Sequence, residues 1–118
     1  MRHVMTLCLV FAFAYPARLP AEESPERTVR VAGVVLKWIR ADKEANFRRA
    51  EKMIREAATG GAKIVCTTEC FLDGYAIADK SIPLDNYRAL GEPIPNGPYF
   101  KKLAALAKEL DVHLVAGM

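Results

Sequence analysis

A chain of 118 residues can enclose one hydrophobic core and falls short of the length at which a second domain is expected. Its 52% hydrophobic and 26% charged residues are the composition of a folded protein, which excludes a disordered tail. Of 17 basic residues, Arg2 and Arg18 fall in the leader segment considered next; the 15 that remain stand against 14 acidic ones, a balance that points to no electrostatic partner, neither nucleic acid nor anionic membrane.

Residues Met1 to His3 form a short positive start, Val4 to Tyr15 an apolar run, and Pro16 to Ala21 a helix-breaking stretch of small residues. The pattern predicts a secretory signal peptide over residues 1–21, and so a protein exported to the periplasm or the medium with no membrane association after cleavage. The run is shorter than the roughly 20 apolar residues a spanning helix needs. Cleavage is expected after Ala21, with Ala14 as the competing position because Ala12-Phe13-Ala14 also places small residues two apart. Residues 22–28 are polar around Pro25 and read as a flexible lead-in.

From Val29 the chain is expected to be ordered through Met118. Val29 to Leu36 is rich in β-branched residues and predicts a first strand buried on both faces of a parallel sheet. Asp42 can cap a helix over Lys43 to Thr59, in which Phe47, Ala50, Ile54 and Ala57 recur at helical spacing and Gly60-Gly61 supplies the stop. Its mixed outer face of Glu, Arg and Lys reads as a solvated surface. Ala62 to Thr67 predicts the second strand. Residues 71–96 hold Asp73-Gly74, Pro83, Gly91, Pro93 and Pro95, and are expected to be a long loop with one short turn of helix. Gly97-Pro98 opens a second long helix with Phe100, Leu103, Leu106, Ala107 and Leu110 on one face, and Val112 to Ala116 is the third strand. The order β-α-β-α-β predicts an α/β fold with parallel pairing, here expected to be arranged around the first strand. Three strands and two helices leave sheet edges and one face incompletely covered, so the chain is expected to be the N-terminal part of a longer domain.

Open parallel sheets bind ligands beyond the carboxyl ends of their strands. By that rule Glu69, just past the second strand, and Trp38, just past the first, lie at the functional rim, whereas His113 opens the third strand at the opposite rim. A Ser-His-Asp or Cys-His mechanism from this chain alone is therefore not expected. Cys66 and Cys70 with one histidine cannot complete a four-ligand zinc site, and an extended strand end keeps them too far apart for a disulfide, so both are expected as free thiols. An extended chain would also turn Glu69 and Cys70 to opposite sides, which argues against Cys70 as a nucleophile beside it. The connection Lys37 to Asp42 has no glycine for close approach of a phosphate, and no nucleotide, metal or other cofactor is implied.

The chain contains, in order, Val29-Arg30-Val31-Ala32-Gly33-Val34, Glu44-Ala45-Asn46-Phe47, Gly61-Ala62-Lys63-Ile64-Val65, Glu69-Cys70-Phe71-Leu72-Asp73-Gly74-Tyr75, Leu106-Ala107-Lys108-Glu109-Leu110 and Leu114-Val115-Ala116-Gly117. This succession resembles the N-terminal part of the carbon-nitrogen hydrolases, the nitrilase superfamily. The Glu-x-Phe-Leu-x-Gly-Tyr segment is the specific part, and the resemblance covers residues 29–118. It implies the N-terminal β-α-β-α-β part of a nitrilase-like α-β-β-α sandwich, a Glu-Lys-Cys triad in which Glu69 is the general base, and a small-molecule amide, N-carbamoyl or nitrile substrate. A homo-oligomer is implied for the full-length protein. No lysine here, Lys80 and Lys101 included, falls at a matching position, so the triad's lysine and cysteine are expected on later strands and this chain alone is expected to be inactive. Two departures stand out: Thr68 where a proline commonly precedes the glutamate, and Leu36-Lys37-Trp38 where the first strand commonly ends near a glutamine. The competing reading from another class is a noncatalytic nitrilase-like binding or interaction protein.

Overall fold

The computed structural model describes residues 27–118; the leader expected over residues 1–21 and most of the lead-in lie outside them. Strand β1 is Val31–Val34, helix α1 Lys43–Thr59, strand β2 Ile64–Thr67, helix α2 Leu84–Ala89, helix α3 Pro98–Leu110 and strand β3 His113–Val115, with a single 3-10 turn over Ala76–Ala78. The protein is thus an α/β chain built on a small parallel sheet.

Helix α1 has the predicted bounds for the predicted reasons. The Asp42 carboxylate accepts from the Ala45 amide at 2.9 Å, satisfying one of the free donors of the first turn. Beyond its C-terminal end Gly61 takes a φ of 85°, which halts the winding. Helix α3 starts at Pro98 as expected, since proline gives up only an amide that has no partner there.

The sheet order is β1-β2-β3, with Val31, Ile64 and His113 in one cross-strand row and Ala32, Val65 and Leu114 in the next. The second strand, not the first, is central. A central β1 would need the second crossover to run back across the sheet, and a right-handed crossover in that direction would place α3 on the opposite face from α1. Instead both crossovers step the same way and both helices lie on one face. Val34 and Val65 of the sheet, with Leu36 just past β1, bury against Phe47, Ala50 and Ile54 of α1 and Leu103 and Leu106 of α3. The Phe47 and Tyr99 rings meet across the helix seam at 5.7 Å.

The other face of the sheet carries Val31, Val35 and Val115 in exposed positions. The expectation of a first strand buried on both faces is therefore corrected: in this chain the helices cover one side only, and alternate residues of β1 face away from them. The segment over residues 71–96 also holds more structure than expected, because Pro83 sits at the cap position of α2, where a proline removes no helical hydrogen bond.

Candidate active site

Glu69 lies two residues past the end of β2, in a turn over residues 69–74. Its backbone is held on one side by the segment that follows β3. Gly117 donates its amide to Thr67 Oγ1 at 3.0 Å and accepts from the Phe71 amide at 3.3 Å. A Cβ on Gly117 would stand 2.7 Å from Thr68 O and 2.8 Å from Glu69 Cα, so only glycine lets the two strand ends approach this closely. Glu69 thus occupies the C-terminal rim of the sheet, the position the chain direction predicts. His113, first residue of β3 and paired with Ile64, is at the opposite rim and exposed.

On the other side the turn is joined to the connection between β1 and α1. Ala41 donates its amide to Asp73 O at 2.9 Å. The fully buried Asn46 side chain accepts from the Ile39 amide at 2.6 Å and donates to Ile39 O at 2.6 Å and Leu72 O at 3.0 Å, so one amide group ties both loops to α1. Gly74, at a φ of 66°, passes so close to this connection that a Cβ would lie 2.5 Å from Ile39 O.

These ties bring Trp38 and Tyr75 together, with ring centroids 6.2 Å apart and the planes inclined by 35°. Arg40 lies over the Trp38 ring, 5.6 Å from its centroid, and pairs with Asp79 at 3.6 Å. The Tyr75 hydroxyl donates to Glu69 Oε2 at 2.7 Å. That bond, followed by the nearby negative charge, raises the Tyr75 phenol above its ordinary range and keeps it protonated. Glu69 itself is exposed.

Cys66 and Cys70 are free, as expected. The chain at Glu69 and Cys70 is not the extended one expected from the sequence but a turn in which Cys70 takes a φ of 50°. What argues against Cys70 as a nucleophile is electrostatic. Burial first, then the charges of Asp73 and Glu69, push its thiol pKa up, away from the reactive thiolate. Lys80 and Lys101 are both exposed, and neither makes an ion pair with Glu69. Thr68, in the position where the resemblance expects proline, buries its hydroxyl oxygen without a hydrogen-bond partner among the described residues.

Sequence reasoning gave no role to Tyr75 or Asn46. Asn46 could have been found as a polar residue on the apolar stripe of α1, one turn before Ala50, where an amide is buried only if it is bonded. Tyr75 could not, since its contact with Glu69 depends on left-handed backbone at Cys70, Gly74 and Tyr75.

A parallel sheet with helices on one face makes this an α/β protein, and Glu69 stands at the carboxyl rim, the end at which open sheets of this kind bind ligands. The chain belongs to the carbon-nitrogen hydrolase family, the nitrilase superfamily, matching it over residues 30–118. It is 37% identical over 105 residues to nitrilase 3 of Arabidopsis thaliana, an overlap of 79% of this chain and 30% of that protein. It is 43% identical over 75 residues to the omega-amidase NIT2 of Homo sapiens, 64% of this chain and 24% of that one. It is 29% identical over 109 residues to a cyanide hydratase of Armillaria gallica, 86% of this chain and 30% of the other. The chain spans less than a third of the length of these relatives.

Proposed function

We propose that the full-length protein hydrolyses a nonpeptide carbon-nitrogen bond of a small molecule, an amide, N-carbamoyl or nitrile group, with Glu69 as the general base of a Glu-Lys-Cys triad. The observation that carries this reading is the exposed Glu69 carboxylate at the carboxyl rim of the sheet, bonded at one oxygen by Tyr75 at 2.7 Å. The relatives, named as nitrilase, omega-amidase and cyanide hydratase, support the reaction class.

For an amide the sequence of events is as follows. Glu69 takes the proton of the nucleophilic cysteine, whose sulfur attacks the carbonyl carbon while the lysine ammonium stabilises the charge that develops on oxygen. The C–N bond breaks as the amine leaves with the proton held by Glu69, and a thioester remains. Water attacks the thioester and gives its proton to Glu69; the C–S bond breaks and the thiolate recovers its proton. Glu69 thus carries a proton twice in each turnover and ends as it began.

Neither the lysine nor the nucleophilic cysteine matches a position in this chain, and Cys70 is disfavoured by its raised pKa. The 118-residue chain alone therefore shows no turnover. The test is Glu69→Gln in the full-length protein, which keeps shape and removes the proton acceptor. The rate falls roughly 10²- to 10⁴-fold while the fold is kept. Asp73→Asn, at an Asp-Gly turn that tolerates asparagine, leaves turnover within a few fold. Near-full activity of a folded Glu69→Gln protein refutes the assignment.

A further inference from the structure

We propose that Tyr75 is the positioning residue for Glu69, its hydroxyl holding one carboxylate oxygen so that the other is presented to the reacting proton; this rests on the reading of Glu69 as general base. A glutamate on an exposed turn has three rotatable bonds and, left alone, samples many orientations. The Tyr75 hydroxyl has a single proton to donate, and it goes to Oε2 at 2.7 Å, leaving the other oxygen with its lone pairs unused by that bond.

The donor is itself held in place. Tyr75 stands at a φ of 53°, a left-handed conformation that a bulky residue adopts only where its surroundings impose it. The surroundings here are the Trp38 ring at 6.2 Å and the neighbouring Gly74, wedged against Ile39 and Arg40. Trp38 is braced in turn by Arg40 at 5.6 Å. A tyrosine fixes the oxygen at low cost because its rigid ring has few torsions to freeze. It does not compete as an acid, since Glu69 beside it keeps the phenol protonated. It touches neither the scissile bond nor the transferred proton, and acts through Glu69.

Tyr75→Phe removes only the hydroxyl and leaves the ring stacked on Trp38. In the full-length protein it lowers kcat about 10- to 100-fold, the range by which small misplacements of a catalytic group reduce rate, with KM held within about threefold. The contact is read separately from activity by ¹³Cζ NMR titration of the tyrosines. In Glu69→Gln the Tyr75 ionisation moves to lower pH, while that of Tyr99, whose hydroxyl donates to Glu44 instead, stays raised. Unchanged kcat in Tyr75→Phe, or an unchanged Tyr75 titration in Glu69→Gln, overturns the proposal even if Glu69→Gln is inactive. An active Glu69→Gln overturns the reading of the base itself, so the two failures are told apart.

Discussion

Helix α3 begins without a capping side chain of its own, and Glu92, seven residues before Tyr99, takes that role. The N-terminal flanking residue is Gly97, which has nothing to offer the free amides of the first turn. Glu92 Oε1 accepts from the Tyr99 amide at 2.7 Å and from the Phe100 amide at 3.2 Å, the second and third helical positions that a cap normally serves. Its other oxygen receives Lys43 Nζ of α1 at 2.6 Å, and the two side chains are only 5% and 13% exposed. Lys43 also donates to Leu90 O at 3.0 Å and lies 4.8 Å from the Tyr99 ring centroid. Glu92→Ala removes the cap, worth about 1 kcal/mol, and leaves a buried cation without its counter-ion, a loss of about 3–5 kcal/mol. Leu90 O and the Tyr99 ring stay with Lys43, so the lower end applies to the second part and the total is about 4 kcal/mol. In urea unfolding this appears as a lower midpoint at unchanged slope. Lys43→Met combined with Glu92→Ala costs less than the two singles together, by about 1.5 kcal/mol or more, because the second change removes a charge already stranded by the first. The effect also depends on pH. Burial would raise the Glu92 carboxyl, but the Lys43 bond and the Phe100 and Tyr99 amides outweigh it and hold its pKa below the ordinary range. A depressed folded pKa gives stability that is present above the unfolded value of about 4.3 and is lost as pH falls through the folded one. The native protein therefore weakens below about pH 4 more steeply than Glu92→Ala does. A Glu92→Ala protein within 0.5 kcal/mol of the parent, roughly the scatter of surface substitutions, or strictly additive singles, refutes the coupled cap.

Asn46→Asp puts a carboxylate against Ile39 O and Leu72 O, both of which now receive an amide proton. It costs about 3 kcal/mol or more at pH 7, exceeds the cost of Asn46→Ala, and recovers partly towards pH 5 as the introduced carboxyl takes up a proton. Equal urea midpoints for the two variants at pH 7 would show that the amide is not the tie between the loops. Cys70 is alkylated by iodoacetamide at neutral pH more slowly than an unstructured thiol, since burial, Asp73 and Glu69 all disfavour its thiolate. Mass spectrometry of the 118-residue chain after incubation with an amide substrate finds neither Cys66 nor Cys70 acylated, and stoichiometric acylation of either refutes the placement of the nucleophile outside this chain.

What could be read from sequence followed how locally each feature is determined. The bounds of α1 come from Asp42 and Gly61, both adjacent to the element they limit, and they were legible. So was the start of α3 at Pro98. The strands were predicted too long at their ends because apolar residues such as Val29 and Val35 extend the pattern, while the ladder ends where the neighbouring strand does. The shortage of covering elements pointed to an open sheet face while the apolar run of β1 pointed to burial on both, and the identity of the central strand was not legible, since it depends on the direction of the second crossover.

The site divides along the same line. Glu69 could be placed at the functional rim because chain direction alone decides which end of a parallel strand it follows. Its surroundings could not, for they rest on three residues with positive φ within six positions, two of them, Cys70 and Tyr75, carrying side chains that disfavour it. A pattern of apolar spacing has no signal for such a turn, and a reader who assumes extended chain sends Cys70 the wrong way and never brings Tyr75 back to Glu69. The turn is stable because groups far apart in sequence meet on it: Gly117 from beyond β3, Asn46 from α1 and Ile39 from beyond β1. The turn that carries Glu69 is thus completed only once all three strands have assembled.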